Sequence, residues 1–359
     1  MPTTGSRRIG WFATTILAAV VIGACGGGST GGATTAPVAP ASAAQGALPQ
    51  PELTKVKIGI SAPSEPVQFA ETLAERLGFY KKYGITNVEI IGFEGDGKAV
   101  QAMIAGQIDF ALVGVSSAIN SVITDTPFKV VSANGLVLTD GLWCTANIKT
   151  PADVKGKTVA ISTFGGTSHG AALLGLQAIG LTSKDVVVTQ VGGESSRIAA
   201  LKGGSVGCGV VDMSEEKPLR AAGLNLLADL AKAKVQWGRS GLAVRTDFIA
   251  KNPNTVLVVV AAALEAQNSM WTDPKTAAAK FAEFAQAKPD EATAAINDFL
   301  PIGDRSMRFD AEAFKAPRDV LAAVNPAVAN VDVNKAFDLT FLNKLKDNGF
   351  YTKNNIPLN

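Results

Sequence analysis

Apolar and polar positions divide the chain into a leader, a featureless stretch and a patterned body. Residues 9–24 are uncharged and mostly apolar, 16 residues behind Arg7 and Arg8. At about 1.5 Å per residue, that run falls short of the roughly 20 residues a membrane-spanning helix needs. Basic, then apolar, then small residues is the order of a secretory signal, so residues 1–24 are expected to be a signal peptide. Residues 26–52 are almost all Gly, Ala, Ser, Thr, Pro and Gln. They show no apolar period and little to bury against the entropy of ordering, which predicts a flexible linker over 25–52.

The body alternates strand and helix patterns. Residues 56–60 read as a strand. A helix over 67–77 follows, with Val67, Ala70, Ala74 and Leu77 on one face and Gly78 ending it. Strands are then predicted at 88–91, 110–113 and 128–131, with helices at 99–105 and 117–123 between them. After Thr150-Pro151 a second series begins, with strands at 158–161, 186–188, 208–211 and 226–228. Its helices fall at 168–179, 196–201 and 219–222. Residues 242–245 read as a strand returning to the first series. The remainder is helical, over 253–268, 274–287, 290–298, 311–323 and 333–348. This rhythm with short loops predicts an α/β fold with parallel, doubly wound sheets.

Composition changes that picture little. The chain carries a formal charge of +2, and removing the leader leaves 31 basic and 31 acidic residues. No basic stripe appears, so a nucleic-acid partner is not expected. With one histidine and no cluster at metal-ligand spacing, neither a metal nor a cofactor is expected. Three chemical motifs fail on inspection. Gly166-Thr167-Ser168-His169-Gly170 has the spacing of a nucleophile elbow, but the only histidine lies inside it, and no second one exists to act as base. Residues 92–99 approach a phosphate loop, but Ala99 stands where the magnesium-binding hydroxyl belongs. Glu215 and Glu216 are adjacent and would not face each other on a helix. No enzymatic activity is expected.

Several segments carry resemblances. Ile22-Gly23-Ala24-Cys25 resembles a bacterial lipobox, which implies cleavage before Cys25, its lipidation and a place outside the plasma membrane. Ser6-Arg7-Arg8 partly matches a twin-arginine signal, and the export route stays open. In an oxidising compartment Cys144 and Cys208 can pair, although their spacing alone does not establish the bond. Residues 77–85 (LGFYKKYGI), 99–113 (AVQAMIAGQIDFALV), 151–161 (PADVKGKTVAI) and 242–258 (LAVRTDFIAKNPNTVLV) resemble, in order, segments of one family. That family is the type II periplasmic binding proteins for sulfonates, taurine, nitrate and thiamine precursors, which serve ABC transporters. One departure is clear: Gly207-Cys208 stands where the family usually has Asp-Ala.

The resemblance implies two α/β lobes, each a doubly wound and mostly parallel sheet, joined by crossing hinge strands. Lobe one would comprise 53–140 and 242–359, and lobe two 141–241. It implies a monomer that captures a small organic or anionic solute between the lobes and hands it to an ABC permease. A ligand-sensing module for a membrane signalling protein is the alternative, and an extracytoplasmic enzyme on the same fold a more distant one. Ligands of open α/β sheets sit beyond the carboxyl ends of the strands, and small-molecule sites favour inter-domain clefts. The candidate ligand residues are therefore Ser61, Pro63, Gly95, Asp96, Ser116, Ser117 and Asn134 on lobe one. On lobe two they are Phe164, Gly165, Gly166, Thr167, Ser168, Glu194, Ser195 and Asp212. Trp237, with Arg239 beside it, is expected to line the cleft edge. The ligand itself stays open.

Overall fold

The computed structural model describes residues 46–310 and 314–358. The expected signal peptide, Cys25 and the first part of the linker lie outside the described residues. Two five-stranded mixed sheets organise the rest. Their strands in chain order are β1 (Lys55–Ile60), β2 (Asn87–Gly92), β3 (Phe110–Val113), β4 (Phe128–Val137), β5 (Asp140–Cys144), β6 (Thr158–Ile161), β7 (Val187–Gln190), β8 (Cys208–Asp212), β9 (Asn225–Asp229) and β10 (Gln236–Arg245). The first sheet runs β2-β1-β3-β10-β4 and the second β7-β6-β8-β5-β9. In each, one strand runs against its neighbours. β10 is antiparallel to β3 and β4, and β5 is antiparallel to β8 and β9. These reversed strands are the ones by which the chain enters each sheet from the other, so the sheets are mostly parallel with one crossing strand apiece.

Both sheets are covered on both faces, as near-continuous apolar strands require. In the second sheet, Leu142, Cys144, Val159, Ile161, Cys208 and Val210 join one cluster. The residues between them, Trp143, Ala160 and Val211, join another with Leu201 and Leu219. That alternation is the period-2 pleat. The first sheet packs on the helix Pro253–Thr272, whose residues 255–264 are all buried. Among the described residues, no helix is long and apolar enough to cross a membrane. A disulfide joins Cys144 to Cys208, which face each other in the β5–β8 register.

Four local readings are corrected. The chain is docked from Gly46, not from residue 53. Gly46 donates to the Asn348 carbonyl, and the Glu52 carboxylate accepts from the Asn254 and Thr255 amides at 3.0 and 2.6 Å. Glu52 thus caps the helix Pro253–Thr272 from 200 residues away in sequence, a contact no local pattern shows. Strand β5 was not expected, because Asp140 and Gly141 break its apolar run. The expected helix over 67–77 is a 3₁₀ turn, Pro66–Gln68, followed by the helix Ala70–Arg76. The expected helix over 333–348 is broken: a 3₁₀ turn Val333–Ala336 precedes Phe337, which bridges to Val130 of β4, and a helix resumes at Thr340–Asp347.

Candidate functional site

The chain crosses between the sheets twice, from β4 to β5 and from β9 to β10. The crossings lie side by side, with the Leu138 amide donating to the Val235 carbonyl at 3.0 Å. Beyond them, the strand ends of the two lobes face each other and meet in a buried polar seam. Asp96 opens the helix Asp96–Ile104 after β2, where a carboxylate suits the positive end of the helix dipole. Its Oδ1 accepts from the Ser61 hydroxyl at 2.8 Å. Its Oδ2 accepts from the Gly114 amide at 3.2 Å, the Ser117 hydroxyl at 3.0 Å and the Thr167 hydroxyl at 3.4 Å. Ser61, Gly114 and Ser117 belong to lobe one and Thr167 to lobe two, so one carboxylate gathers donors from both.

A second junction forms around Glu194, which opens the helix Glu194–Lys202. Ser64 of lobe one donates to Glu194 Oε2 at 2.9 Å, and the Asp212 amide donates to Oε1 at 2.6 Å. A third centres on Arg239, projecting from β10. It donates to Glu65 and lies 3.2 Å from Asp140 and 3.9 Å from Asp212. Thr139 of the crossing donates to the same Asp212 carboxylate. Arg197 is aimed elsewhere, donating to the Val210 and Gly192 carbonyls at 2.7 and 3.0 Å. Trp237 Nε1 donates to Ser116 Oγ at 3.2 Å, tying the return strand to the first turn of the helix Val115–Ile123 that follows β3.

The cavity inside this seam measures about 30 Å³, more than the roughly 10–15 Å³ that one water needs. Four carboxylates, Glu65, Asp96, Asp140 and Glu194, line it with two guanidinium groups, Arg197 and Arg239. Burial pushes the Glu65 carboxyl well above its ordinary pKa, against the opposing pull of Arg239. It raises Asp140 in the same way. Burial, and next the charge of Asp212, lifts Glu194 to about 7. Burial acts against the charge of Arg239, but Asp140, Glu65 and Asp212 around it hold its pKa well above the usual value.

This arrangement of crossing strands and facing strand ends can be set beside known proteins. A family model described as NMT1/THI5 like matches residues 66–277. The chain belongs to the NMT1/THI5-like family. A riboflavin-binding protein, RibY, of Chloroflexus aurantiacus is 28% identical over 269 residues, which is 73% of this chain and 74% of that protein. The alkanesulfonate-binding protein SsuA of Xanthomonas axonopodis pv. citri superposes with a TM-score of 0.67 at 17% identity, over 81% of this chain and 99% of that one. The desulfurization enzyme DSZB superposes with a TM-score of 0.59 at 16% identity, over 81% and 99%. These structural likenesses show the shared periplasmic binding protein fold, which serves binding proteins and, in DSZB, an enzyme.

Within this NMT1/THI5-like chain, the seam brings together Ser61, Gly95, Asp96, Ser116, Ser117, Thr167, Ser168, Glu194, Asp212 and Trp237. Trp237 and Arg239 lie within β10 itself, since that strand starts at Gln236 and not at Leu242. Other candidates sit elsewhere. Asn134 is no loop residue: it is buried within β4, donates to Glu71 at 2.8 Å, and stands away from the cavity. Phe164 and Gly165 line a separate groove of about 450 Å³ with Leu321 and Val328. Gly166 borders a smaller one of about 190 Å³, which Ser117 of the seam also reaches. Pro63 and Ser195 edge a groove of about 370 Å³ beside Phe93, Glu94 and Phe284. The serine of the elbow-like motif pairs with Ser162 Oγ at 2.7 Å, while His169 Nδ1 accepts from the Gly165 amide at 3.1 Å. His169 is thus bonded into its own loop and makes no described hydrogen bond to Ser168.

Sequence reasoning missed Ser64, Glu65, Asp140, Ser162 and Arg197. Ser64 and Glu65 belong to the same loop as Ser61 and Pro63, and Ser162 directly follows β6, so the strand-end rule reaches all three. Asp140 opens the unpredicted β5, and nothing local marks it.

Proposed function

We propose that this protein is the extracytoplasmic solute receptor of an ABC importer. It captures a small solute between its lobes and delivers it to a membrane permease. The observation that carries this reading is the shared Asp96, which holds Ser117 of one lobe and Thr167 of the other. A seam built from both sides is what capture by closure requires, because the ligand must favour the closed state over the open one. Family membership supports the same role, as do relatives named for binding riboflavin and alkanesulfonates. In this reading the lobes divide at the crossings, residues 138–139 and 230–235, the receptor acts as a monomer, and Cys25 holds it to the membrane through a lipid.

A thermal-shift screen of the purified protein against sulfonates, nitrate, pyrimidines and larger heteroaromatic compounds such as riboflavin tests the role. A cognate solute at 100 times its Kd should stabilise the fold by about 2.7 kcal/mol. The pair Asp96→Ala with Ser117→Ala, and the pair Thr167→Ala with Asp212→Ala, should each weaken binding of the solute found. Loss through one lobe only would overturn capture between lobes. For the anchor, Cys25→Ser should shift the protein from the membrane fraction or leave the leader uncut, and identical fractionation would reject lipidation.

A further inference from the structure

The charge inventory of the cleft narrows the solute class, granted the receptor reading above. Glu65, Asp140, Glu194 and Asp212 are each 7% exposed or less, and Arg239 is the side-chain cation paired with three of them, Glu65, Asp140 and Asp212. Arg197 stands nearby, but its described hydrogen bonds go to backbone carbonyls. Asp96 needs no cation, because three hydroxyls and an amide already satisfy it. Asp140 differs. It is 1% exposed and lines the cavity, yet its Oδ2 receives no hydrogen bond. Its 3.2 Å approach to Arg239 Nε is an ion contact without hydrogen-bond alignment, and that Nε also lacks a hydrogen-bond partner. A buried acceptor left unmade is costly, and a buried carboxylate more so.

We infer that the solute carries a protonated nitrogen group, an amine or an amidine, which docks against Asp140 and its neighbouring carboxylates. An entering ammonium or amidinium would supply the missing donor and add positive charge among the four carboxylates. An anion would meet buried carboxylates on several sides, a like-charge juxtaposition that disfavours its binding. The cavity of about 30 Å³ sets the scale of the docked group, with the rest of the solute extending toward the flanking grooves as the lobes part.

Isothermal titration of the full-length protein decides this, with agmatine, spermidine and benzamidine as cationic probes. Methanesulfonate and nitrate serve as anions, and riboflavin as an uncharged one. At least one cationic probe should bind, more weakly as salt rises, while the anions do not. Asp140→Asn keeps the shape, removes the charge, and should weaken that probe about tenfold or more. If Asp140→Asn does not fold by circular dichroism, Asp212→Asn takes its place. Binding only of methanesulfonate, nitrate or riboflavin, or of no probe, overturns the assignment. Scattering on the same samples separates the two readings. A bound anion that shrinks the radius of gyration leaves the receptor role standing and removes the charge assignment. A bound cation with unchanged radius, insensitive to Thr167→Ala, keeps the charge assignment and removes capture by closure.

Discussion

Glu71 shows how far a single side chain can depart from its surface behaviour. It is fully buried in lobe one, where Asn134 donates to Oε2 at 2.8 Å and Oε1 has no hydrogen-bond partner. Burial lifts its pKa from 4.5 to about 7. A carboxyl raised on folding stabilises fully below its unfolded pKa, and the contribution is lost as pH rises through the folded one. Stability should therefore fall between about pH 4.5 and pH 7, by an amount on the order of 3 kcal/mol from this group. Glu71→Gln keeps the acceptor for Asn134 without the charge. In urea melts it should flatten that slope and exceed the wild type at about pH 8. Part of the slope should persist through Glu194, which titrates in the same range. An unchanged slope would mean that Glu71 is ionised at little cost. The disulfide is a second residue-scale test. It closes a loop with a sequence separation of 64, worth about 4 kcal/mol on the chain-entropy account. Cys144→Ser with Cys208→Ser should lose up to that amount in denaturant, and the wild type should show neither thiol to an alkylating agent until reduced. The sequence offered the Cys144–Cys208 bond as a possibility, a bond the structure contains, and gave no sign of the Glu71 shift. Glu71 sits on an ordinary amphipathic stretch, and the two cysteines meet only once β5 and β8 are paired.

At the scale of elements, the strand and helix rhythm was legible, and the crossing strands only in part: β10 was expected by its second half and β5 not at all. β1, β2, β3 and β6 stand within a residue or so of where their apolar runs put them. β4 and β10 run well past their predicted limits, because Asn134, Arg239 and Ser240 interrupt the apolar pattern with buried polar groups. Arg239 among them lines the seam cavity, a kind of place where local propensity rules are expected to fail. Close approaches between elements were equally invisible. Gly114 precedes the helix Val115–Ile123 on lobe one, at a φ of −68° that any residue adopts. A Cβ there would overlap Thr167 Oγ1 of lobe two. Gly114→Ala should therefore leave each lobe folded and hold the lobes apart. We expect a melting temperature near wild type, binding about tenfold weaker, and partial recovery when Thr167→Ala is added. A variant that binds normally would show that the lobes need not approach so closely. Gly170 lets Trp237 pack onto the helix Thr167–Ala178 in the same way, but that contact lies in a core, and Gly170→Ala should cost stability first.

For the whole molecule, the decisive feature is that two short crossings connect bodies with separate cores. Residues 138–139 and 230–235 lie between the strands of one sheet and those of the other, and a hydrogen bond from the Leu138 amide to the Val235 carbonyl runs between them. Short paired segments of this kind absorb the backbone rotation of hinge closure while the packed sheets move as rigid bodies. The loops that meet are supplied by the strand ends, so a rule that reads residues beyond predicted strands reaches Ser61, Asp96, Thr167 and Glu194 of the seam. It missed Asp140 because that residue opens a crossing strand and follows no predicted one. With a solute found in the screen, small-angle scattering should show a smaller radius of gyration. Hydrogen exchange should slow at the amides of Gly114, Thr167 and Asp212, which face the seam from both lobes. Amides inside β1, β3, β6 and β8 should change little, because those strands belong to cores that closure does not rebuild. Protection confined to one lobe at constant radius would mean that the solute sits on a preformed surface, and the hinge would then have no part in its capture.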